Sequence, residues 1–299
     1  MYIIGNNRGI VTYEKIIYSL ISLILMITLC GCKNNNQDGL YQLPNQSYSQ
    51  MMSYIIEDKG HTIVIDGGTA EDSDYLVSQI KKISSNNTVD AWYLTHYHKD
   101  HTDALAKYLL ENDNSIKIKN IYYNFPKDKW VEQYEPNRYQ DYQTITGALK
   151  KFENKHIVHQ DDTFEYGDIK IKVLRSYNQN ITNNAGNNSS SVYKFNIRKT
   201  SILFLGDLGV EGGEELLSNS KNEIENIDYV QMAHHGQAGV TENVYRVINP
   251  KYCLWPTPDW LWGNKEKVYK TDETKKWINK LNVKKNYIVK DGLIHITIK

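Results

Sequence analysis

Short apolar runs separated by polar turns follow one another after residue 50, and their length and alternation predict β-strands. The runs at 53–57 and 62–66 flank polar residues 58–61, which predicts a hairpin. Further strands are predicted at 91–95, 116–123, 163–165, 169–174, 192–197, 201–205, 228–232, 252–255, 287–290 and 293–298. Helical spacing predicts helices at 73–83, 104–110, 142–152, 211–217, 243–248 and 274–281. Hairpins mixed with helices predict an α+β fold with two mixed sheets and helices outside them.

Three stretches of this region lack a regular pattern. Residues 126–142 are rich in Trp, Tyr and charged side chains, which predicts either an insertion over a functional site or a surface excursion. Residues 179–190 are polar and are predicted to form a loop. Residues 255–263 contain two prolines and a glycine, which favours a defined loop over a helix.

The first 31 residues have the pattern of an export signal. Arg8 and Lys15 precede an apolar run at 16–29, which is shorter than the ~20 residues that a membrane-spanning helix needs. A charged flank, a short apolar core and a small residue before the cleavage point are typical of such signals. An uncleaved N-terminal anchor is the alternative, and both interpretations place the following domain outside the cytoplasm.

The end of this segment, Leu29-Cys30-Gly31-Cys32, resembles the bacterial lipoprotein box. The resemblance implies cleavage before Cys32 and lipidation of its sulfur. The polar residues that follow make residues 32–48 a predicted flexible tether with the lipidated cysteine at its start. Two or more acyl chains would hold the protein stably at the extracytoplasmic face of the cell membrane. The remaining residues, 49–299, are predicted to form one globular domain.

Composition is that of a globular protein. The 299 residues are 40% hydrophobic, and 35 basic residues balance 35 acidic ones, which gives no electrostatic argument for nonspecific nucleic-acid binding. If Cys32 is lipidated and Cys30 is removed, Cys253 is the one remaining cysteine. The domain then has no internal disulfide and depends on its hydrophobic core.

Potential metal ligands are most concentrated in the sequence Thr95-His96-Tyr97-His98-Lys99-Asp100-His101, between a predicted strand and a predicted helix. Because side chains alternate along an extended backbone, His96 and His98 are predicted to point to the same side. Asp100 and His101 open the helix and are predicted to face a second point nearby. This geometry suits two metal ions about 3.5–4 Å apart. A polar helix-capping loop is the alternative, and three imidazoles within six positions disfavour it.

Two other predicted strands end in residues of the same chemical types. Asp207 follows the strand at 201–205, and His234 and His235 follow the strand at 228–232. Ligands at the same ends of neighbouring strands can converge although they are distant in sequence. Imidazole and carboxylate ligands together suit Zn, Mn or Fe. The set contains no cysteine, which excludes a structural cysteine-based zinc site.

These motifs resemble those of the metallo-β-lactamase superfamily over residues 51–299, and the residues that carry the resemblance are Asp66-Gly67-Gly68, His96-x-His98-x-Asp100-His101, Gly206-Asp207 and His234-His235-Gly236. The resemblance implies a four-layer αββα sandwich with two divalent metal ions at one edge, Zn being expected and Mn or Fe being alternatives. It implies that His96 and His98 bind one ion and that Asp100 and His101 bind the other. It also implies that Asp207 bridges the ions and that His235 completes the second site.

One departure from the family pattern concerns a further metal-binding histidine that many members have before the bridging aspartate. His156 and His159 come too early in the chain to take that place, which is occupied by the run Asn187-Asn188-Ser189-Ser190-Ser191-Val192. This run is similar to the hydrolase domain of bacterial DNA-uptake channel proteins and to bacterial-surface phosphorylcholine esterases. The similarity implies a phosphoester or phosphodiester substrate, either a small or cell-surface molecule or a nucleic acid. Asn187 is either a catalytic or ligating residue or a turn residue.

The catalytic residues proposed from the sequence are Asp100, His234 and Asn187. Two cations lower the pKa of water toward neutrality, which supplies a hydroxide for attack on phosphorus. His234 could protonate the leaving alkoxide, because histidine titrates near neutral pH. Trp260 and Trp262 are predicted to contact substrate, the alternative being that they pack against the sheet.

Two other functions are alternatives to hydrolysis. A non-catalytic metal-binding sensor or ligand-binding lipoprotein of the same fold would keep the ligands without turnover. An electron-transfer diiron protein of this fold resembles the pattern but carries Glu at the position of His98, so His98 disfavours it.

Overall fold

The computed structural model describes residues 37–298. Over this range the chain forms sixteen strands, numbered β1 to β16, at Gly39–Gln42, Ser53–Asp58, His61–Asp66, Thr88–Val89, Ala91–Tyr93, Lys117–Ile118, Ile121–Tyr123, Lys155–Ile157, Thr163–Tyr166, Ile169–Arg175, Val192–Ile197, Thr200–Phe204, Tyr229–Gln231, Tyr252–Trp255, Lys285–Ile288 and Ile294–Ile296. The same range contains nine α-helices, α1 to α9, at Ser73–Ile83, Lys99–Leu110, Asp128–Tyr134, Tyr139–Leu149, Ala185–Asn188, Val210–Ile224, Glu242–Ile248, Asp259–Gly263 and Thr271–Asn279. Short 3-10 helices lie at Ala70–Asp72, Pro136–Arg138, Ala233–Gly236 and Val289–Asp291.

The strands form two seven-stranded mixed sheets. The first has the order β16-β1-β2-β3-β5-β7-β8, and the second has the order β15-β14-β13-β12-β11-β10-β9. A two-stranded ribbon pairs β4 with β6. In the first sheet β3 and β5 are parallel, and in the second β12 and β13 are parallel, so within each pair the strands end at the same edge.

The space between the sheets is filled by alternate residues of their strands. In β2, Tyr54 and Ile56 face the second sheet while Ile55 faces the opposite side, because successive side chains of a strand point to opposite faces. Strand β12 does the same in the second sheet, where Phe204 points inward and Leu203 outward. Both faces of each sheet are therefore apolar and need a covering layer.

Helices supply those outer layers. The apolar sides of α1, α2 and α4 pack on the outer face of the first sheet. Those of α6, α7 and α9 pack on the outer face of the second sheet. The predicted four-layer αββα sandwich is thus confirmed.

Most predicted elements are present, but five predictions of local structure are wrong. The predicted strand at 116–123 is two short strands, because Lys119 and Asn120 separate the pairing of β6 from that of β7. Residues 126–142 are not irregular: they contain α3 and the start of α4, and the turn at Pro136–Arg138 interrupts their helical period.

The predicted loops also contain helices. Residues 255–263 are not wholly a loop, because Pro258 is the N-cap of α8 and Asn264, with φ of 42°, ends it in the left-handed conformation. The polar stretch 179–190 contains α5, whose four residues are all buried.

The predicted tether at 32–48 is wrong for its second half. The compact unit that contains both sheets begins at Asp38, and Gly39–Gln42 form β1 between β2 and β16. Leu40 and Leu43 are fully buried, and Gln42 Nε2 donates to the Trp255 carbonyl 2.8 Å away. Glycine and glutamine in this short run concealed the strand from pattern-based prediction.

The predicted export signal and the lipidation site Cys32 lie outside the described residues. Within residues 37–298, none of the helices has the length and apolarity to cross a membrane.

Candidate dinuclear metal centre

The predicted ligands come together at one edge of the sandwich, where loops leave the carboxyl ends of β3, β5, β12 and β13. Asp66 ends β3, and the histidine-rich segment links β5 to α2. Asp207 follows β12, and His234 and His235 follow β13. The first sheet and the second sheet therefore both contribute side chains to this edge.

Two groups of side chains have ligand atoms that lie within 4.8 Å of one another. One group contains Asp100, His101, Asp207 and His235. The other contains His96, His98 and Asp207. Asp207 is common to both groups, which is the arrangement expected of a carboxylate shared by two ions.

In three of these histidines, one ring nitrogen is held by the protein and the other faces the cluster. His101 Nδ1 donates to Asp66 Oδ2 at 2.7 Å, and His235 Nδ1 donates to the Pro256 carbonyl at 2.9 Å. His96 Nδ1 lies 3.2 Å from Thr95 Oγ1. Metal-binding histidines commonly use the second nitrogen in this way, because the hydrogen bond sets the tautomer and the orientation of the ring.

Asp66 is the centre of the hydrogen-bond network behind the cluster. Its carboxylate accepts bonds from the Thr95 amide at 2.8 Å and the Thr95 hydroxyl at 2.7 Å as well as from His101. The side chain is fully buried. Asp66 therefore orients His101 rather than joining the ligand groups.

The opposite nitrogens and the shared carboxylate lack partners. Among the described residues, His96 Nε2, His101 Nε2, His235 Nε2 and Asp207 Oδ1 are buried without a hydrogen bond. His101 Nε2 lies 3.2 Å from Asp207 Oδ1, and His235 Nε2 lies 3.3 Å from Asp100 Oδ2. A buried polar atom without a partner costs about 1–3 kcal/mol. Ligands about 2.0–2.2 Å from a shared ion would have such spacings, so these residues fit a dinuclear centre.

The carboxylates of the cluster attract positive charge, which also favours the binding of cations. Burial disfavours the charged form of His235, yet the neighbouring carboxylates of Asp207 and Asp100 raise its pKa to about 9. Burial also opposes the charged forms of His101 and Asp207, but their mutual attraction dominates, raising the pKa of His101 and lowering the pKa of Asp207. Burial and the charges of His101 and His98 lower the pKa of His96, which keeps a lone pair available.

The backbone is unusual where the late histidines leave β13. His234 and His235 have φ angles of 48° and 52°, and Gly236 has a φ of 74°. Residues other than glycine rarely adopt positive φ angles, and backbone strain of this kind is concentrated at functional sites. The Thr257 hydroxyl donates to the His235 carbonyl at 2.6 Å and helps to fix the turn.

His234 and His235 have different environments. His235 is fully buried within the ligand group, whereas the His234 side chain is 22% exposed and its Nε2 lies 3.9 Å from Asp207 Oδ2. His234 belongs to neither ligand group. It lies at the accessible side of the cluster, where it can meet a bound molecule.

Asn187 lies in α5 and follows Gly186, whose backbone approaches His98 Nε2 closely. Its Nδ2 donates to Asn184 Oδ1 at 2.9 Å, and its Oδ1 is buried without a partner among the described residues. The adjacent Asn188 has another task, because its Oδ1 accepts bonds from the amides of Gly209 and Gly212 at the start of α6.

Glu135 is a site residue that sequence reasoning missed. It directly follows α3, and its Oε2 lies 3.0 Å from His98 Nε2. The predicted insertion over a functional site is therefore the better of the two interpretations of 126–142. The signal in the sequence was weak, because Glu135 is 37 residues away from His98 and lies in a stretch without regular periodicity.

The two predicted substrate-contacting tryptophans differ in location. Trp260 lines a cleft of about 300 Å³ that also includes Asp100, Lys99 and Arg138. Tyr48 stacks on Trp260 with ring centroids 5.0 Å apart. Both rings line the cleft that contains Asp100, a member of one ligand group.

Trp262 has a structural environment, which corresponds to the alternative to its predicted contact with substrate. Its ring packs at 5.2 Å on Trp255 in the outer cluster of the second sheet, and Lys275 Nζ lies 4.0 Å from the ring centroid. The helical turn of α8 sends it to the side opposite the cleft-lining Trp260.

A sequence-family model described as the metallo-beta-lactamase superfamily matches residues 49–282. The chain belongs to this superfamily. The match spans the histidine-rich loop, Asp207 and the late histidine pair, and it confirms the resemblance that these motifs carry. No curated protein sequence matches the chain significantly.

Solved structures of the metallo-β-lactamase fold resemble the chain at low sequence identity. YhfI of Bacillus subtilis, a metallo-β-lactamase fold protein, is 14% identical with a TM-score of 0.53, covering 87% of this chain and 100% of YhfI. CmlA of Streptomyces venezuelae, a diiron β-hydroxylase, is 10% identical with a TM-score of 0.54, covering 87% of this chain and 54% of CmlA. At these identities the likeness establishes the fold alone.

The family and the site together establish the general class of activity. The chain is a metallo-β-lactamase-fold hydrolase with a histidine and aspartate cluster compatible with two metal ions. The comparisons do not single out the DNA-uptake or the phosphorylcholine esterase subgroup.

Proposed function

We propose that this domain is a metal-dependent phosphoesterase or phosphodiesterase that is held at the extracytoplasmic face of the membrane by lipid on Cys32. The observation that carries the proposed chemistry is the pair of ligand groups that share Asp207. The Asn187 run at the place of the further family histidine, which resembles the phosphoester-cleaving subgroups, favours phosphorus over a β-lactam carbonyl as the point of attack.

The side chains divide the work of such a reaction. His96, His98, Asp100, His101, Asp207 and His235 would hold two divalent ions, which we propose to be Zn, with Mn and Fe as the alternatives that metal analysis distinguishes. When bound, the ions supply Lewis acidity and an activated water. His234, whose Nε2 lies 3.9 Å from Asp207 Oδ2 on the accessible side of the cluster, would donate a proton to the leaving oxygen. The Oδ1 of Asn187, buried without a partner among the described residues, offers one more polar contact.

The cleft offers two basic side chains to an anionic substrate. Lys99 and Arg138 line it together with the carboxylates of Glu71 and Asp100, and the two basic groups can contact a phosphate group. Trp260 and Tyr48 add aromatic rings to its lining, which suit a quaternary ammonium group or a nucleobase. A small or cell-surface phosphoester is the proposed substrate, with a nucleic acid as the alternative.

Metal content and turnover of bis-p-nitrophenyl phosphate test this function together. We expect protein purified without chelator to contain about two transition-metal ions per chain and to cleave the phosphodiester in proportion to its metal content. Full activity in metal-free protein would contradict the mechanism. Two bound ions without cleavage of phosphodiester or phosphomonoester would instead favour a non-catalytic metal-binding role.

Substitution of Trp260 by alanine is expected to reduce affinity for a substrate with a large leaving group and to spare a small aryl phosphate. Each aromatic contact contributes roughly 0.5–2 kcal/mol to a quaternary ammonium or about 1–3 kcal/mol to a base. KM values for choline phosphoesters, single-stranded oligonucleotides and p-nitrophenyl phosphate would show the difference. Trp262→Ala is the control, because Trp262 packs on Trp255 and should lower thermal stability without selective loss of affinity. Equal KM values in wild type and Trp260→Ala would exclude the aromatic contact.

Replacement of Cys32 by alanine is expected to move the protein from the membrane fraction to the soluble fraction, because it removes the proposed attachment point of the lipid. Fractionation and N-terminal mass analysis would measure this. A variant that still sediments with membranes and keeps its first residues would show that residues 1–31 are an ordinary anchor.

A further inference from the structure

Glu135 contacts the metal-binding loop from a segment outside the family motifs. Its Oε2 accepts a hydrogen bond from His98 Nε2 at 3.0 Å, and the Tyr97 hydroxyl donates to the same oxygen. The Glu135 side chain is 19% exposed, and Tyr97 is fully buried. A carboxylate with two donors and little access to solvent is held in one orientation.

Gly186 occupies the space beside this contact. A Cβ atom built on Gly186 would overlap both Glu135 Oε2 and His98 Nε2. The backbone of α5 and the Glu135 carboxylate therefore enclose the Nε2 side of the His98 ring. The hydrogen bond to Glu135 occupies Nε2, which leaves Nδ1 as the ring nitrogen of His98 available to the ligand cluster.

We propose that Glu135 is a positioning residue for the metal centre: it holds His98 Nε2 as a donor so that Nδ1 binds an ion. His101, His235 and His96 are held at Nδ1 and face the cluster with Nε2, whereas His98 is held at Nε2. Because His98 uses its two ring nitrogens in the opposite way, its Nε2 needs a hydrogen-bond acceptor, and Glu135 supplies it. This inference rests on the dinuclear centre of the proposed function.

Glu135 is also expected to affect the metal affinity of the site formed by His96 and His98. An ion held by His96 and His98 would have Asp207 as its one other ligand among the described His, Cys, Asp and Glu residues. A carboxylate partner raises the basicity of an imidazole and fixes its direction, and removal of such a partner costs about 10–100-fold in metal affinity. Glu135 thus strengthens the ion site that lacks the further histidine of many family members.

The surrounding fold keeps Glu135 in place. Its helix α3 is anchored in the core by Val131, which is fully buried, and Trp130 Nε1 donates to the Gln179 carbonyl at 3.0 Å. Pro136 follows directly and begins the turn toward α4. The segment at 126–142 is therefore a fixed wall of the centre on its His98 side.

Metal titration of variants tests the inference without relying on activity. We expect Glu135→Ala to weaken binding of one of two Co²⁺ ions by about 10–100-fold in chelator competition and to leave the other ion nearly unchanged. Glu135→Gln keeps an acceptor oxygen, so we expect it to retain part of that affinity and the wild-type Co²⁺ absorption spectrum. Glu132→Gln, on the exposed side of the same helix, is the matched control and should behave as wild type.

Three results would overturn the inference. Unchanged Co²⁺ affinity in folded Glu135→Ala would show that His98 needs no positioning. A Co²⁺ spectrum of lower coordination number in both Glu135 variants would make Glu135 a direct ligand. Loss of both ions in Glu135→Gln would show a general structural role. Failure of the proposed function would give a different result, because wild-type protein would then bind two ions without cleaving phosphoesters. The Co²⁺ affinities of the variants would still test the role of Glu135.

Discussion

Replacement of Asp207 by alanine is expected to remove both metal ions and abolish phosphoester cleavage while leaving the fold intact. Asp207 is the side chain common to both ligand groups, so its loss weakens two sites at once. The decrease in kcat/KM should exceed the roughly 10–100-fold that loss of an outer hydrogen-bond partner costs a metal centre. Elemental analysis, kinetics and circular dichroism measure the three parts of the expectation.

Two comparisons make the Asp207 result specific. Asp207→Asn keeps the size of the side chain but removes its charge, and it should also lose activity. Asp228→Ala removes a carboxylate that binds Ser201 and Lys251 in the second sheet, away from the ligand groups, and should lower stability while both ions remain. Activity of Asp207→Ala within a few-fold of wild type would exclude the shared role of Asp207.

Removal of the ions by a chelator is the second large expected effect, because their ligands come from loops of both sheets. His101 and Asp100 follow β5 of the first sheet, whereas Asp207 and His235 follow strands of the second. Each ion at 100 times its Kd stabilises the folded state by about 2.7 kcal/mol. For a domain of this size, 1 kcal/mol corresponds to roughly 2–4 °C in Tm, so chelation should lower Tm by about 10–20 °C.

The chelated protein should also become sensitive to alkaline pH. The pKa of His235 is raised from 6.5 to about 9 in the fold without ions, so its stabilising contribution is complete below pH 6.5 and is lost as pH rises through 9. The Tm difference between metal-loaded and chelated protein should therefore grow between pH 7 and pH 9. Ion binding at pH 7 should release protons, measured as a dependence of calorimetric enthalpy on the buffer. Asp207→Ala is the control, because chelator should leave its Tm unchanged.

The sequence predicted those features that local patterns determine. The hairpin of β2 and β3 and helix α1 have clear periods of two and 3.6 residues, and the structure has them within one residue of the predicted bounds. The ligand groups were predictable for a related reason. His96, His98, Asp100 and His101 are close in sequence, and Asp207 and His235 follow predicted strands, so the sheets bring them together.

Contacts between distant segments were not predictable in this way. The bond of Glu135 to His98 depends on where α3 packs, and no local pattern specifies that position. The packing of Trp262 was not predictable from the sequence. Its partners, Trp255 and the stem of Lys275, become its neighbours only when α8 and α9 fold onto the second sheet. Strand β1 was missed because its burial depends on pairing with β2 and β16 rather than on its own alternation.

The position of β1 has a consequence for folding. This strand pairs with β16, and Leu40 lies opposite Ile296, so completion of the first sheet joins segments more than 250 residues apart. Closing so long a loop costs conformational entropy before its contacts form, which favours late assembly of this edge. A chain that ends before Ile294 would leave the backbone amides and carbonyls of β1 exposed as an unpaired edge, and such edges promote aggregation. In the complete chain β16 takes the edge position instead of β1, and its three residues present a shorter edge than the four residues of β1.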